Sequence, residues 1–515
     1  MRKSIVIFYL FSTILSVAQD VSLCWGDQGN GMYANPILNA DYSDPDVIRV
    51  GTKYYMVASD FHFMGMQVLE SEDMVNWRII TQIYKCLDFK GWNENERYAG
   101  GSWAPAIRFH DGKFWVFFCT PDEGLFMTNA ESPAGPWTPL HLVKAVPKWE
   151  DPCPFWDEDG KAYLGRSIYG AGPIIIHQMS YDGKQLLDSG ITVYKGPVAE
   201  GTKILKKDGY YYLSIPEGGV ERGWQTILRS KSIYGPYEKK VVLEQGSTSI
   251  NGPHQGAIVD TPEGKWWFYH FQHAGTIGRV VHLQPMYWHD EWPVIGVDID
   301  RNGTGEPVYV WKKPISSTEV FYPQTDDNFD MPELGLQWQW NHNPADEAWS
   351  LSLKKGSLTL EALTSTTFRL ARNTLTQKIM GYESEATVEV DISEMVDGQR
   401  CGLVCMGGEN KMLGIRKING ALSLYFSDDA IEIAIASIKK KKIYLRVSID
   451  IPDSKFIYSY SLDNKNYLKC GETFYMKFGY WKGARIGLYC YNIEKKSGLA
   501  IFDSFVYKHD GEKNN

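Results

Sequence analysis

The hydrophobic positions of this chain fall in short runs, each broken by a turn signal, and no long stretch repeats with a helical period. The pattern predicts strands throughout. Its clearest unit runs from Glu200 to Ser214: an acid, a short strand, the turn Asp208-Gly209, and an aromatic-rich strand from Tyr210. Asp-Gly between two β-prone runs is a strong hairpin signal. Four more copies keep the same order around the turn glycines Gly51, Gly112, Gly160 and Gly264. Counted with Gly209, the five glycines are spaced 61, 48, 49 and 55 residues apart. A period near 50 in an all-strand pattern means propeller blades, and five copies mean five blades around a central channel. Segments further out repeat as well: Ser71 to Trp77, Ser132 to Trp137 and Ser232 to Tyr237 each end in an aromatic.

The repeat ends near Lys312-Lys313-Pro314, and Asp326-Asp327-Asn328-Phe329-Asp330 is a polar break. From there to about residue 510 come short strands with turn signals at Gly356, Gly420, Asp463-Asn464 and Gly483. That spacing suggests a β-sandwich. Trp338, Trp340 and Trp349 cluster at its start, as core or as a face toward the propeller. The expected class is all-β: a five-bladed β-propeller over residues 19–315, then a β-sandwich over 325–510. Asn35-Pro36-Ile37-Leu38 opens the regular structure and is placed to pair with the last blade.

Each copy has one residue just before its first strand. If that strand is the innermost of its blade, these residues converge on the channel mouth: Asp44, Ala104, Asp151, Glu200 and His254. Three of the five are acids. Carboxylates brought close raise one another's pKa, and a fold that collects them usually keeps one ionised and another protonated. Glycoside hydrolysis needs that division: one acid protonates the leaving oxygen while another activates water or attacks. The plainer reading gives each acid a strand-capping or cation-binding role, with less force for three acids at matching positions of a repeat. Ala104-Pro105-Ala106 leaves the second blade without an acid, so that blade offers shape and an apolar floor.

Composition narrows the class further. A formal net charge of −9 argues against nucleic acid and anionic membrane surfaces. Eighteen tryptophans and 31 tyrosines exceed what core filling needs and suit sugar-ring platforms. Arg2-Lys3, the apolar stretch Ile5 to Leu15 and Ser16-Val17-Ala18 read as a signal peptide over residues 1–18. The apolar stretch is too short to span a bilayer. Export to the periplasm or the medium is therefore expected, with no membrane span. The eight cysteines do not form a disulfide framework or a zinc pattern. Most read as buried packing, Cys153 among them, with a Cys470–Cys490 bridge left open.

These residues also resemble something known. Asn35-Pro36-Ile37-Leu38 with Ser43-Asp44-Pro45-Asp46, Gly101-Ser102-Trp103-Ala104-Pro105, Asp151-Pro152, Ala199-Glu200-Gly201 and Gly278-Arg279-Val280 together resemble glycoside hydrolase family 43 over residues 35 to 312. That family comprises inverting five-bladed propeller enzymes, including β-xylosidases and α-L-arabinofuranosidases. The C-terminal part is similar to the concanavalin-like β-sandwich that many members append. The resemblance implies Asp44 as general base, Glu200 as general acid and Asp151 as the acid that keeps the proton on Glu200. Inversion implies a gap of roughly 6.5–9.5 Å between the base and acid carboxyls, to admit water. Arg279 resembles the family's substrate-contacting arginine. His254 and Trp103 are pocket candidates, and Phe61, Trp224 and Gln225 are weaker ones.

Rival acids stand close by: Asp41 and Asp46 beside Asp44, Asp157 and Asp159 in the third hairpin turn, and Glu217 and Glu221 after Glu200. No cofactor or catalytic metal is required; a calcium near His254 is the one ion left open. The expected substrate is an oligosaccharide or polysaccharide carrying terminal xylose or arabinofuranose. A non-catalytic sugar-binding propeller, or a glycosidase of the same fold acting on galactan, is the alternative. A retaining fructan hydrolase is disfavoured, because its Asn-Asp-Pro-Asn-Gly, Arg-Asp-Pro and Glu-Cys segments are missing.

Overall fold

Two of the hairpin turns show how local the organisation is. Asp111-Gly112 and Asp208-Gly209 take positive φ at both residues, the two-residue turn whose twist matches paired strands. They join His110 to Lys113 and Lys207 to Tyr210. A computed structural model describes residues 25–317, 321–429 and 431–511. The signal-peptide reading falls on residues 1–18, outside the described residues.

Five separate four-stranded antiparallel sheets follow in chain order. Their innermost strands are Ser43–Val50, Trp103–His110, Trp149–Trp156, Lys203–Lys207 and Ile258–Asp260. Every blade is built from four consecutive strands, and among the described residues no strand crosses between blades to close the ring. Closure comes from elsewhere. Ahead of the first blade, strand Gly26–Asp27 pairs with Met32–Ala34, which pairs in turn with Val310–Lys312 after the last blade. Leu38 bridges to Val281 of the fifth blade. The Asn35 side chain donates to Leu283 O and Val308 O and accepts from Leu283 N. Lys313, nearly fully buried, sits between Asp27 at 2.5 Å and Asp73 at 2.7 Å.

Residues from Gln339 to His509 form two packed sheets, antiparallel except where Leu363–Thr364 runs parallel to Arg485–Asn492. Strands Glu383–Asp391 and Lys442–Asp450 bury every second residue, as a sheet with one face on a core must. Trp338 and Trp340 serve both roles expected of them. Trp338 stacks on Phe329 inside, while Trp340 O accepts from Met64 N of the propeller. The contact between the two parts is also ionic. Asp60 is buried and meets Lys378 at 3.2 Å and Arg485 at 3.6 Å. Asp41 accepts from Arg279 N with one oxygen and from Gly483 N with the other.

All seven described cysteines are free, so the Cys470–Cys490 bridge does not form. Cys470 and Cys490 lie on strands of opposite sheets. Cys153 is buried packing, with Arg108 donating to its sulfur. No helix among the described residues is long and apolar enough to cross a membrane.

Candidate active site

The site is made by one backbone irregularity repeated around the ring. In the first three blades the inner strand pairs with its neighbour at Ser43–Ser59, Trp103–Cys119 and Glu150–Ser167, then slips register before Asp46, Ala106 and Cys153. The residue inside each bulge is left-handed: Asp44 at φ 54°, Ala104 at 36° and Asp151 at 54°. Bulges of this kind re-aim side chains at sheet rims. Left-handed φ in a residue with a Cβ costs on the order of 1–3 kcal/mol, so the surrounding structure must hold it there.

The fourth and fifth blades keep the geometry one residue later than the sequence suggested. Their left-handed residues are Gly201 and Gln255. Glu200 N bonds Pro216 O, and His254 bridges Phe271, at the positions of Ser43, Trp103 and Glu150. The matching set at the bulge is therefore Asp44, Ala104, Asp151, Gly201 and Gln255, and the set before it is Ser43, Trp103, Glu150, Glu200 and His254. Gly201 is required twice over. A Cβ there would meet Pro216 Cγ at 2.6 Å in addition to the backbone strain, and its N–H donates to Asp151 Oδ2 at 2.8 Å.

A cavity of about 430 Å³ opens at this end of the channel, within the usual size range for small-ligand sites. It is lined by Asp44, Asp151, Glu200, Glu150, Arg279 and Gln255, with Phe61, Trp103 and Ala104. The three expected acids, Arg279, Phe61 and Trp103 therefore meet in one place. Tyr169 and Trp481, both widely exposed, form its rim 6.4 Å apart and edge to face. Trp481 comes from the sandwich, which thus rims the pocket.

Asp44 is the fixed acid. Arg279 Nη1 donates to its Oδ1 at 3.0 Å, and Ser43 and Ser59 donate to its Oδ2 at 3.1 and 2.6 Å. Asp151 accepts from Ser167 and Gly201 N. Burial, then the nearby Asp44 charge, still push its carboxyl up to about 6. Glu200 has a different balance. Burial, then Asp151 and Asp44, push it up to about 8, against a smaller opposing pull from Arg279. The pocket thus holds one clamped carboxylate beside a carboxyl biased toward its protonated form.

Three expected contacts do not reach the cavity. His254 is fully buried against Phe271 at 5.4 Å, and Gln255 takes the pocket position. Burial keeps the His254 ring neutral, with its pKa lowered to about 4. Gln225 is buried behind Gln255, accepting from Gln255 N and donating to Ser214. Trp224 Nε1 donates to Glu217. Three of the rival acids have structural partners: Asp46 with Arg108, Asp157 with Lys206, and Glu217 with Lys239, Tyr194 and Thr226. A second cavity, about 480 Å³, opens at the opposite end of the channel. Asp46, Asp157, Glu158 and Asp260 all line it, and each stands beside a cation.

Sequence reasoning missed Glu150. It is buried, lines the cavity, and has oxygens within 4.8 Å of those of Asp151 and Glu200. Burial, then Asp151 and Glu200, push its carboxyl up to about 9. These three acids are the one group among the described residues spaced to hold a metal ion; His254 is not part of it. The signal was present: Glu150 precedes its bulge residue as Glu200 precedes Gly201.

Comparison with known proteins agrees with this geometry. The model of glycosyl hydrolases family 43 matches residues 33–293, and that of the beta-xylosidase C-terminal concanavalin A-like domain matches residues 326–508. A relative from Xylanibacter ruminicola with a provisional beta-xylosidase name is 57% identical over 90% of this chain and 87% of its own. A beta-xylosidase of Formosa agariphila is 37% identical over 95% and 92%. A solved structure described as a bifunctional GH43-CE protein of Bacteroides eggerthii superposes with TM-score 0.83 at 27% identity. It covers 95% of this chain, which spans 64% of that longer protein.

Proposed function

Because the chain belongs to glycosyl hydrolases family 43 and is a glycoside hydrolase, we propose that it removes terminal β-xylosyl units from xylan-derived chains with inversion at the anomeric carbon. Terminal α-L-arabinofuranosyl units are the second substrate class this pocket suits. The observation that carries the reading is the pairing of Asp44, clamped by an arginine and two serines, with Glu200, biased toward its acid form, in one cavity.

In this mechanism Asp44 takes a proton from a water poised below the anomeric carbon. The water oxygen bonds to that carbon as the glycosidic bond breaks, and Glu200 gives its proton to the departing oxygen. Arg279 holds Asp44 in place. Asp151 supplies the negative charge that raises Glu200, as a general acid working near neutral pH requires. Trp103 and Phe61 offer apolar faces to the sugar ring. Trp481 and Tyr169 narrow the entrance, which favours a chain end over the middle of a polymer. Ser16-Val17-Ala18 after the apolar leader supports export of the mature enzyme.

Two measurements test this. Aryl β-D-xyloside should be cleaved with α-xylose as the first-formed anomer by early-time NMR; β-xylose would mean retention and rule out Asp44 as a base acting through water. The kcat/KM profile should be bell-shaped. Glu200 is active when protonated, so rate falls as pH rises through about 8. Asp151 acts as an anion, so rate also falls as pH drops through about 6. A profile still rising at pH 9 would contradict Glu200 as the acid.

A further inference from the structure

Glu150 and Glu200 occupy the same register position in adjacent blades, and both face the cavity. The mechanism above uses only Glu200. Glu150 is as buried as the acids at the pocket base, at 8% exposure beside 6% for Asp44 and 5% for Asp151. The rim is far more open, with Tyr169 at 48%. One carboxyl oxygen of Glu150 receives the Ala171 backbone N–H. The other, Oε1, is buried and has no hydrogen-bond partner. Among the described residues no Lys or Arg pairs with Glu150, and the cation lining this cavity, Arg279, is bound to Asp44.

A buried polar atom without a partner is costly, on the order of 1–3 kcal/mol. Such an atom at the base of a binding pocket has an obvious use. We propose that Glu150 is a specificity-determining residue, whose unpartnered carboxyl oxygen completes a hydrogen bond with a hydroxyl of the terminal sugar. The base, rather than the rim, is where the terminal unit sits, so the contact falls on that ring and not on the outer units. Two adjacent acids and the lack of a cation mean that Glu150 works as a neutral carboxylic acid, able both to donate and to accept. Its role differs from that of Glu200: it holds the ring and does not protonate the leaving oxygen. A site built around a substrate hydroxyl rejects sugars that lack it, because its own polar group is then left unpaired.

This inference rests on the glycosidase reading, and its test separates the two. Wild type, Glu150→Gln and Glu150→Leu are compared on aryl β-D-xyloside, aryl α-L-arabinofuranoside and the 2-, 3- and 4-deoxy xylosides, with melting temperatures as a check on folding. Glu150→Gln keeps a neutral donor and acceptor and should stay within about threefold of wild type in kcat/KM. Glu150→Leu should lose about 10–100-fold on the better glycoside, mainly through KM. That loss should shrink to near nothing on the one deoxy sugar that lacks the contacted hydroxyl. An unchanged Glu150→Leu enzyme overturns the proposal. So does an equal loss on every deoxy sugar, or a Glu150→Gln enzyme as inactive as Glu200→Gln. Calorimetric binding of D-xylose and L-arabinose reads the same contact without turnover. A wild type that hydrolyses nothing refutes the glycosidase reading, while weaker sugar binding by Glu150→Leu would still support the contact.

Discussion

Glu200→Gln should lose about 10²–10⁴-fold in kcat on xylobiose, the usual contribution of a general acid. The loss should be smaller on an aryl xyloside with an acidic phenol, since a good leaving group needs less help from a proton. Asp44→Asn should be equally damaging on both substrates, because water must be activated whatever departs. Asp151→Asn should impair turnover and move the alkaline limb below pH 8, since Asp151 is the leading charge holding the proton on Glu200. A Glu200→Gln enzyme within tenfold of wild type on xylobiose would refute the assignment. The same variant should melt higher than wild type at pH 8–9. Folding raises the Glu200 pKa, so the folded state gains from that proton at low pH and loses the gain as pH rises from 4.5 through about 8. Glutamine removes that loss.

A chain ended at residue 315 should fail to give an active enzyme and should accumulate as aggregate. Asp60 of the first blade is buried, and its cationic partners Lys378 and Arg485 both belong to the sandwich. Stripping the partners from a buried ion pair costs about 3–5 kcal/mol. The same cut exposes apolar residues of the first blade, among them Met64 and Met66, that share one buried cluster with Trp338, Trp340 and Met380. It also removes Trp481 from the pocket rim. The test is soluble yield and kcat/KM of the shortened chain. A monomeric, fully active ring would show that the sandwich is dispensable.

What the residues disclosed in advance follows the range of the interactions involved. Turns are local, so Gly51, Gly112, Gly160, Gly209 and Gly264 announced five hairpins, and their period announced five blades. The acids Asp44 and Asp151 were legible because each stands before a proline inside its bulge. The fourth and fifth blades lack that proline, which hid the one-residue offset and placed His254 at the mouth in place of Gln255. Glu150 was passed over because the adjacent Asp151-Pro152 drew the assignment. Trp481 and Tyr169 could not be paired from sequence. They meet because contacts such as those of Asp41 and Asp60 with their partners dock the sandwich onto the propeller, between residues hundreds of positions apart.

The absence of any strand shared between blades has a consequence for how this enzyme fails. The join between the last and first blades is a short backbone pairing of Leu38 with Val281 and a row of side-chain contacts: Asn35 on Leu283, Arg49 on Asp260, Tyr269 on Met74, and Arg279 on Asp44. The final contact in that row is also the one that clamps Asp44 in the pocket. Heat that opens this join should release Asp44 first, so activity should fall at a lower temperature than the loss of β structure followed by circular dichroism. A sugar lodged across the gap acts as a staple, and the enzyme at work is then sturdier than the enzyme at rest.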